Sequence, residues 1–184
     1  NQDIFWNEYL SWYYVQQKEF GKAFIQEKAV YKRNPDSLSS IVNLGQLAIE
    51  EDDQEAAKEI LGFVLENTKD LELLIQANSY LVEMKIGKAQ EKDFAAIDSE
   101  LKRLLTEYGI TPTSLSLQLI QARFVTFNLK KPEDGKVIIK KAIALELNDY
   151  ELAQAKMELA DILLFEEKFN QALIYYSQIE EDLK

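Results

Sequence analysis

MELADILLFEEKFNQALIYYSQI, residues 157–179, places small and large apolar residues at helical intervals. Leu159, Ala160 and Leu163 lie three to four apart, on one face of a helix; Phe169, Ala172, Tyr176 and Ile179 do the same on a second. Glu166-Glu167-Lys168 between them is a polar turn. The stretch is predicted to be a helical hairpin, with Ala160 and Ala172 kept small where two backbones approach.

The same layout recurs upstream. Leu10-Ser11 and Tyr14 are followed by the turn Gln17-Lys18-Glu19, then Phe20, Ala23, Val30 and Pro35. Leu44-Gly45 and Ala48 precede Glu51-Asp52-Asp53, then Ala57, Leu61 and Val64. From Leu10 to Leu44 and from Ala23 to Ala57 the shift is the same, thirty-four positions. Two looser copies follow. Leu73, Ala77 and Tyr80 precede Phe94, Ile97, Leu101 and Leu104, across a connection, Lys85 to Lys92, about eight residues longer than the others. Leu119, Ala122 and Val125 precede Ile139, Ala142 and Ile143. The expected architecture is all-α: a right-handed α-solenoid of about five stacked antiparallel hairpins, at 4–35, 37–68, 70–108, 113–147 and 150–184, forming one array over 1–184. An ordinary helical bundle has no reason to repeat a Leu-small pair and an Ala-x3-large quartet at fixed separation. HEAT-like and other α-solenoids remain as alternatives.

These residues resemble the tetratricopeptide repeat (TPR), a helix–turn–helix unit of about 34 residues with the pattern W-x2-L-G-x2-Y…A-x3-F…P. The fifth copy supplies Leu159, Ala160, Leu163, Ala172 and Tyr176; the first supplies Leu10, Ser11, Tyr14, Ala23 and Pro35; the second supplies Leu44, Gly45, Ala57 and Leu61. No copy opens on tryptophan, and only the first closes on proline. The resemblance implies that the first helices of successive hairpins line a concave surface that takes a peptide or helix. It also implies a test, since one TPR type grips a peptide C-terminus with a Lys/Asn/Arg clamp. Those positions fall here on Glu8, Trp12, Asn43, Leu71 and Ile75, of which only Asn43 matches. The missing cations and the added acid would repel a carboxylate, so that mode is rejected. What should line the surface instead is Tyr9, Trp12, Tyr13, Asn43, Gln46, Asn78, Arg123 and Asp161, amide and aromatic groups suited to a peptide backbone or an amphipathic helix.

Composition narrows the function classes. The 184 residues are 47% apolar and 29% charged, enough for a core and ordered throughout, and the 6 Gly and 3 Pro are too few for a turn-rich β fold. A net charge of −11, with 21 basic against 32 acidic residues, disfavours a nucleic-acid backbone. Cysteine and histidine are both absent, which removes disulfides, thiolate nucleophiles, the usual zinc ligands and the commonest general base. Gly87, Gly109 and Gly135 are isolated rather than a phosphate loop, and Pro132-Glu133-Asp134-Gly135 is a turn signal. No catalytic residue, cofactor or metal is expected. The longest apolar run, Ala172–Tyr176, is far too short to span a bilayer, and no signal peptide is visible. The cytoplasm and a bacterial periplasm or envelope are both compatible. The opening Asn1-Gln2-Asp3 lacks a methionine, and a piece of a longer, processed array is the expectation.

The first helix carries Phe5, Trp6, Tyr9, Trp12, Tyr13 and Tyr14, more aromatics than an internal face needs. They pack on hairpin two or on further repeats, or they form a contact surface. The expected function is a non-catalytic scaffold that binds a protein or peptide. The alternative is a structural segment whose aromatic end mediates homodimerisation or stacking on further repeats.

Overall fold

The computed structural model describes residues 2–182, and among them finds ten α-helices and no strand. They are α1 (Gln2–Gln16), α2 (Phe20–Tyr31), α3 (Leu38–Glu50), α4 (Gln54–Asn67), α5 (Leu71–Lys88), α6 (Phe94–Tyr108), α7 (Leu115–Arg123), α8 (Pro132–Ile143), α9 (Asp149–Phe165) and α10 (Phe169–Asp182). The chain divides into two compact units, Asn1–Met84 and Lys85–Lys184, with the boundary inside α5.

In the first unit α1 pairs with α2 and α3 with α4, and α2 packs on α3. Phe20, Phe24, Ile41, Ile60 and Leu61 fill its core and are almost wholly excluded from water. In the second unit α7 pairs with α8 and α9 with α10, and α8 packs on α9. Ile139, Leu159, Ile162 and Leu163 are the large side chains of that core. Each such side chain, buried from water, contributes roughly 1.5–3 kcal/mol.

The period is written most clearly in the turns. Lys18, Asp52, Lys130 and Glu167 have left-handed φ of 57°, 59°, 58° and 60°, and each closes the first helix of a hairpin. The next N–H reaches back to a carbonyl of that helix: Glu19 to Tyr14 at 2.9 Å, Asp53 to Ala48 at 2.8 Å and Lys168 to Leu163 at 2.9 Å. This capping arrangement usually recruits glycine, because a Cβ in the left-handed region costs roughly 1–2 kcal/mol. None of the four is glycine, and the hydrogen bonds with the paired helices hold the strained residue in place.

From these turns the small residues fall into register. Ser11, Gly45 and Ala160 each precede the left-handed residue by seven positions, and Ala23, Ala57 and Ala172 follow it by five. All are buried. Gly45 is the glycine of the first set. A Cβ there would lie 2.6 Å from Leu61 Cδ2 and 2.7 Å from its Cγ.

The fourth hairpin obeys the same rule with one residue too many. Gly135 follows Lys130 by five, but Ala122 precedes it by eight. The surplus is absorbed by a π-helical turn, Phe124–Asn128, that continues α7, with the Leu129 N–H bonding Phe124 O at 3.2 Å and that of Lys131 bonding Val125 O at 3.1 Å. Such one-turn expansions let a helix keep its contacts on both sides of an insertion. Two sequence expectations change here. Pro132-Glu133-Asp134-Gly135 is the first turn of α8, not a loop, since proline at the start of a helix gives up no needed N–H and the acids favour the N-terminus. Gly135 is the missing small residue of the copy: a Cβ on it would lie 2.0 Å from Thr126 Oγ1 and 3.1 Å from Ala122 O.

The long third connection is also corrected. Residues 85–88 continue α5, and a short 3₁₀ turn, Glu91–Asp93, leads into α6. The Gln90 N–H donates to Asp93 Oδ2 at 3.0 Å, closing a capping box at that turn. The extra length is thus helix, and the turn lacks a left-handed residue.

An ionic cluster centred on the buried Lys136 ties α8 to the turn between α9 and α10. Lys136, only 7% exposed, lies 2.6 Å from Glu133 Oε1 and 3.0 and 2.8 Å from the two oxygens of Glu166, which Lys168 also approaches at 3.1 Å. Burial pulls the Lys136 ammonium down, but its hydrogen bonds to Glu133 and Glu166 outweigh that and hold it above the usual lysine value. Burial likewise pushes Glu166 up, and the bonds from Lys136 and Lys168 bring it below its ordinary 4.5.

Two outcomes follow from this packing. Gly135→Ala should cost on the order of 1–3 kcal/mol in urea unfolding, with part regained when Thr126→Ala is added. Because the folded-state pKa of Glu166 is depressed, its contribution is present above pH 4.5 and is lost as pH falls through the depressed value. Glu166→Gln should remove that acid-side loss and lower stability at neutral pH by about 1–3 kcal/mol, both read from melts between pH 2 and 7.

Candidate functional site

The notch residues also decide which side chains point away from the hairpin. Trp12 follows Ser11, and Gln46 follows Gly45, thirty-four positions apart. One more period along, Tyr80 follows Ser79, which is buried to 5% exposure. Ser79 thus stands at the repeat position of Ser11 and Gly45 in the third copy, with Ala77, also buried, two positions before it.

In the first unit this register joins α5 to α3. The Tyr80 hydroxyl donates to Gln46 Oε1 at 2.7 Å, bridging α5 and α3, and Gln46 Nε2 donates to Glu50 Oε1 at 2.9 Å. Gln76 Nε2 approaches the Tyr80 hydroxyl at 3.5 Å. Asn43, one turn before Gln46, is exposed. On α1 the aromatic rings run in series, with centroid separations of 5.5 Å for Phe5–Trp6, 6.1 Å for Trp6–Tyr9 and 5.9 Å for Tyr9–Trp12. Trp12 is 57% exposed, and Tyr9 and Tyr13 nearly half. Of these aromatics Tyr14 lies against the first unit's core, while Phe5, Trp6, Tyr9, Trp12 and Tyr13 stay about half exposed. The stripe is exposed because the α2-facing side of α1 is already filled by Tyr14, Val15 and the buried Ser11.

Besides Gln46, three of the eight residues expected on the surface have side-chain partners. Asn78 is buried, and its Nδ2 donates to Leu74 O at 2.8 Å within α5, so it does not line a groove as expected; it sits beside Ser79 on the packed side. Arg123 lies with its Nη2 2.8 Å and its Nε 3.2 Å from Glu158 Oε2, a charge pair across α7 and α9 whose carboxylate is buried. Asp161 accepts a hydrogen bond from the Tyr176 hydroxyl of α10. Like Trp12 and Gln46, both Arg123 and Asp161 follow a notch residue, Ala122 and Ala160. The sequence reading missed Tyr80, Glu50 and Glu158. The repeat spacing from Gln46 carried the signal for Tyr80; Glu158 was hidden because no spacing rule gives an ion partner on another hairpin.

The groups gathered on these helices are aromatic faces, side-chain amides, a hydroxyl and carboxylates. Among the described residues no group of acidic side chains is placed to hold a metal ion, and no helix is long and apolar enough to cross a membrane.

The Asp161–Tyr176 bond makes one measurable statement about pH. The hydrogen bond to Asp161, then burial and then the nearby charge push the Tyr176 hydroxyl from 10.0 up to about 12. A folded-state pKa above the unfolded one means stability that is intact below pH 10 and lost as pH rises through about 12. Tyr176→Phe should remove that alkaline loss and cost about 1 kcal/mol at neutral pH, as followed by melts and by ultraviolet titration of the tyrosines.

No protein-family model matches this chain, and no curated protein matches it significantly. Its fold does match solved structures. The thermophilic TPR protein TTC0263 of Thermus thermophilus superposes with a TM-score of 0.62 at 18% identity, covering 97% of this chain and 91% of that one. PilF of Pseudomonas aeruginosa gives 0.59 at 17% identity, over 98% of this chain and 77% of its own. MamA from Desulfovibrio magneticus RS-1, a chain from residue 41 to the end, gives 0.57 at 11% identity, over 98% and 95%. At these identities the likeness is one of fold: the chain is an all-α array of TPR-like helical hairpins.

Proposed function

We propose that this chain is a non-catalytic scaffold that binds a protein or peptide on the surface formed by α1, α3 and α5 of the first unit. The observation that carries the reading is the exposed aromatic stripe of α1, in register at the repeat spacing with amides and a tyrosine hydroxyl. Stacked repeats commonly present such extended surfaces, and rigid aromatics lose little entropy when a partner covers them. Tyr9, Trp12, Tyr13, Asn43 and Gln46 are the contact residues of this proposal; Asn78 is left out because it is buried, and Arg123 and Asp161 because they belong to the second unit. The lack of cysteine and histidine supports a role without chemistry.

A second reading is favoured by the same stripe: α1 pairs with α1 of another copy, giving a dimer with no separate ligand. Five aromatics about half exposed offer on the order of 500 Å² per partner, somewhat below the roughly 800 Å² of a standard interface.

Replacing Trp12 with a photo-crosslinking phenylalanine analogue separates the two. The scaffold reading expects an adduct with another protein that a probe at Glu146 does not form. An adduct at about twice the 21.3 kDa chain mass would favour the dimer instead, and no adduct above the Glu146 control would remove both.

A further inference from the structure

The first unit is polarised in a way that the binding proposal alone does not require. It carries seven lysines and arginines against fifteen acids, hence eight of the chain's eleven net negative charges. Every one of its cations lies on α2, α4 or a turn. α1, α3 and the part of α5 up to Met84 contain five carboxylates and no cation. The cations nearest along the chain to α1 are engaged elsewhere: Lys18 with Glu51, and Lys22 with Glu19 at 2.9 Å. The second unit differs. Its fourteen cations nearly balance seventeen acids, and on its first helices Arg123 answers Glu158 directly.

The aromatic stripe and the carboxylates are interleaved. Glu8 lies one turn before Trp12 on α1, and Glu50 one turn after Gln46 on α3; both are exposed. The negative faces of tryptophan and tyrosine rings attract ammonium and guanidinium groups, the more so beside a carboxylate. Resting on the binding role proposed above, we infer that the occupant of this surface is a cationic peptide segment, in which lysine or arginine side chains lie over Trp12 and the neighbouring tyrosines and reach Glu8 and Glu50. An anionic partner is repelled by the same charges, and an uncharged apolar one gains nothing from them.

The chain carries its own probe, because its two tryptophans, Trp6 and Trp12, both lie on α1. Three peptides of about a dozen residues, with the same apolar positions and with Lys/Arg, Gln or Glu at the others, are titrated against the whole chain by tryptophan fluorescence. The Lys/Arg peptide should bind at least tenfold tighter than the Gln peptide, the Glu peptide more weakly still, and the preference should shrink several-fold from about 50 to about 300 mM salt. Glu8→Lys combined with Glu50→Lys should weaken the Lys/Arg peptide at least tenfold, while Glu146→Lys in the second unit leaves it unchanged; unaltered circular dichroism melts establish that both variants fold. Equal affinity for the three peptides, no binding of the Lys/Arg peptide, or indifference to the double charge reversal would each overturn the inference. Equal and tight binding of all three would leave the binding surface standing without its charge preference. Absence of any binding together with no Trp12 crosslink would remove the surface as well.

Discussion

Everything in this molecule depends on how closely two helices of one hairpin can approach. At Ser11 and Ala23, Gly45 and Ala57, Ala122 and Gly135, and Ala160 and Ala172, the side chain is one carbon, one hydroxymethyl group or nothing. Two of these positions allow not even a methyl: Gly45 is bounded by Leu61, and Gly135 by Thr126 and the Ala122 carbonyl. A close approach of this kind is a hard limit rather than a preference, since interiors are packed as densely as crystals of small molecules. It therefore fixes the rotation of each helix about its axis, and the turn that joins each pair must conform.

The turns conform at some expense. Each of four hairpins forces a non-glycine residue into the left-handed region, and a 6→1 hydrogen bond compensates in three of them. In the fourth, one additional residue between notch and turn could not be accommodated by rotating the helix without losing the Ala122–Gly135 contact. The π turn at Phe124–Asn128 takes it up, and the corresponding bond reaches back one residue further, from Lys131 to Val125. The same fixed rotation turns the residue after each notch outward, which is why Trp12, Gln46, Tyr80, Arg123 and Asp161 share a register across helices that are unlike in sequence.

What those outward positions carry separates the two units. In the second, Arg123 is neutralised by the buried carboxylate of Glu158 and Asp161 is held by Tyr176, so the register is spent on holding helices together. In the first, Trp12 is left to solvent and Gln46 and Tyr80 bond to one another, beside carboxylates on α1, α3 and the part of α5 up to Met84, which hold no cation. A surface of aromatic faces and unbalanced negative charge is the physical basis of the binding role proposed for it.

Much of this was determined by the sequence alone. The constant shift that carries Leu10 to Leu44 and Ala23 to Ala57 fixes helical hairpins and their order, because apolar periodicity and small-residue spacing are local properties of a helix. Tyr9, Trp12, Tyr13, Asn43 and Gln46 were legible as outward positions for the same reason. Only the tertiary structure decided the rest. Gly135 looked like a turn residue until Thr126 was seen against it, and the connection after Lys85 looked like a loop until it continued α5. Asn78 looked exposed until its side chain was found turned onto α5, and Glu158 gave no sign of its arginine. For Gly135 and Glu158 the deciding contact lay across a turn or on another helix. A period read along one chain specifies which face a residue occupies, whereas what meets that face is set by how the helices pack.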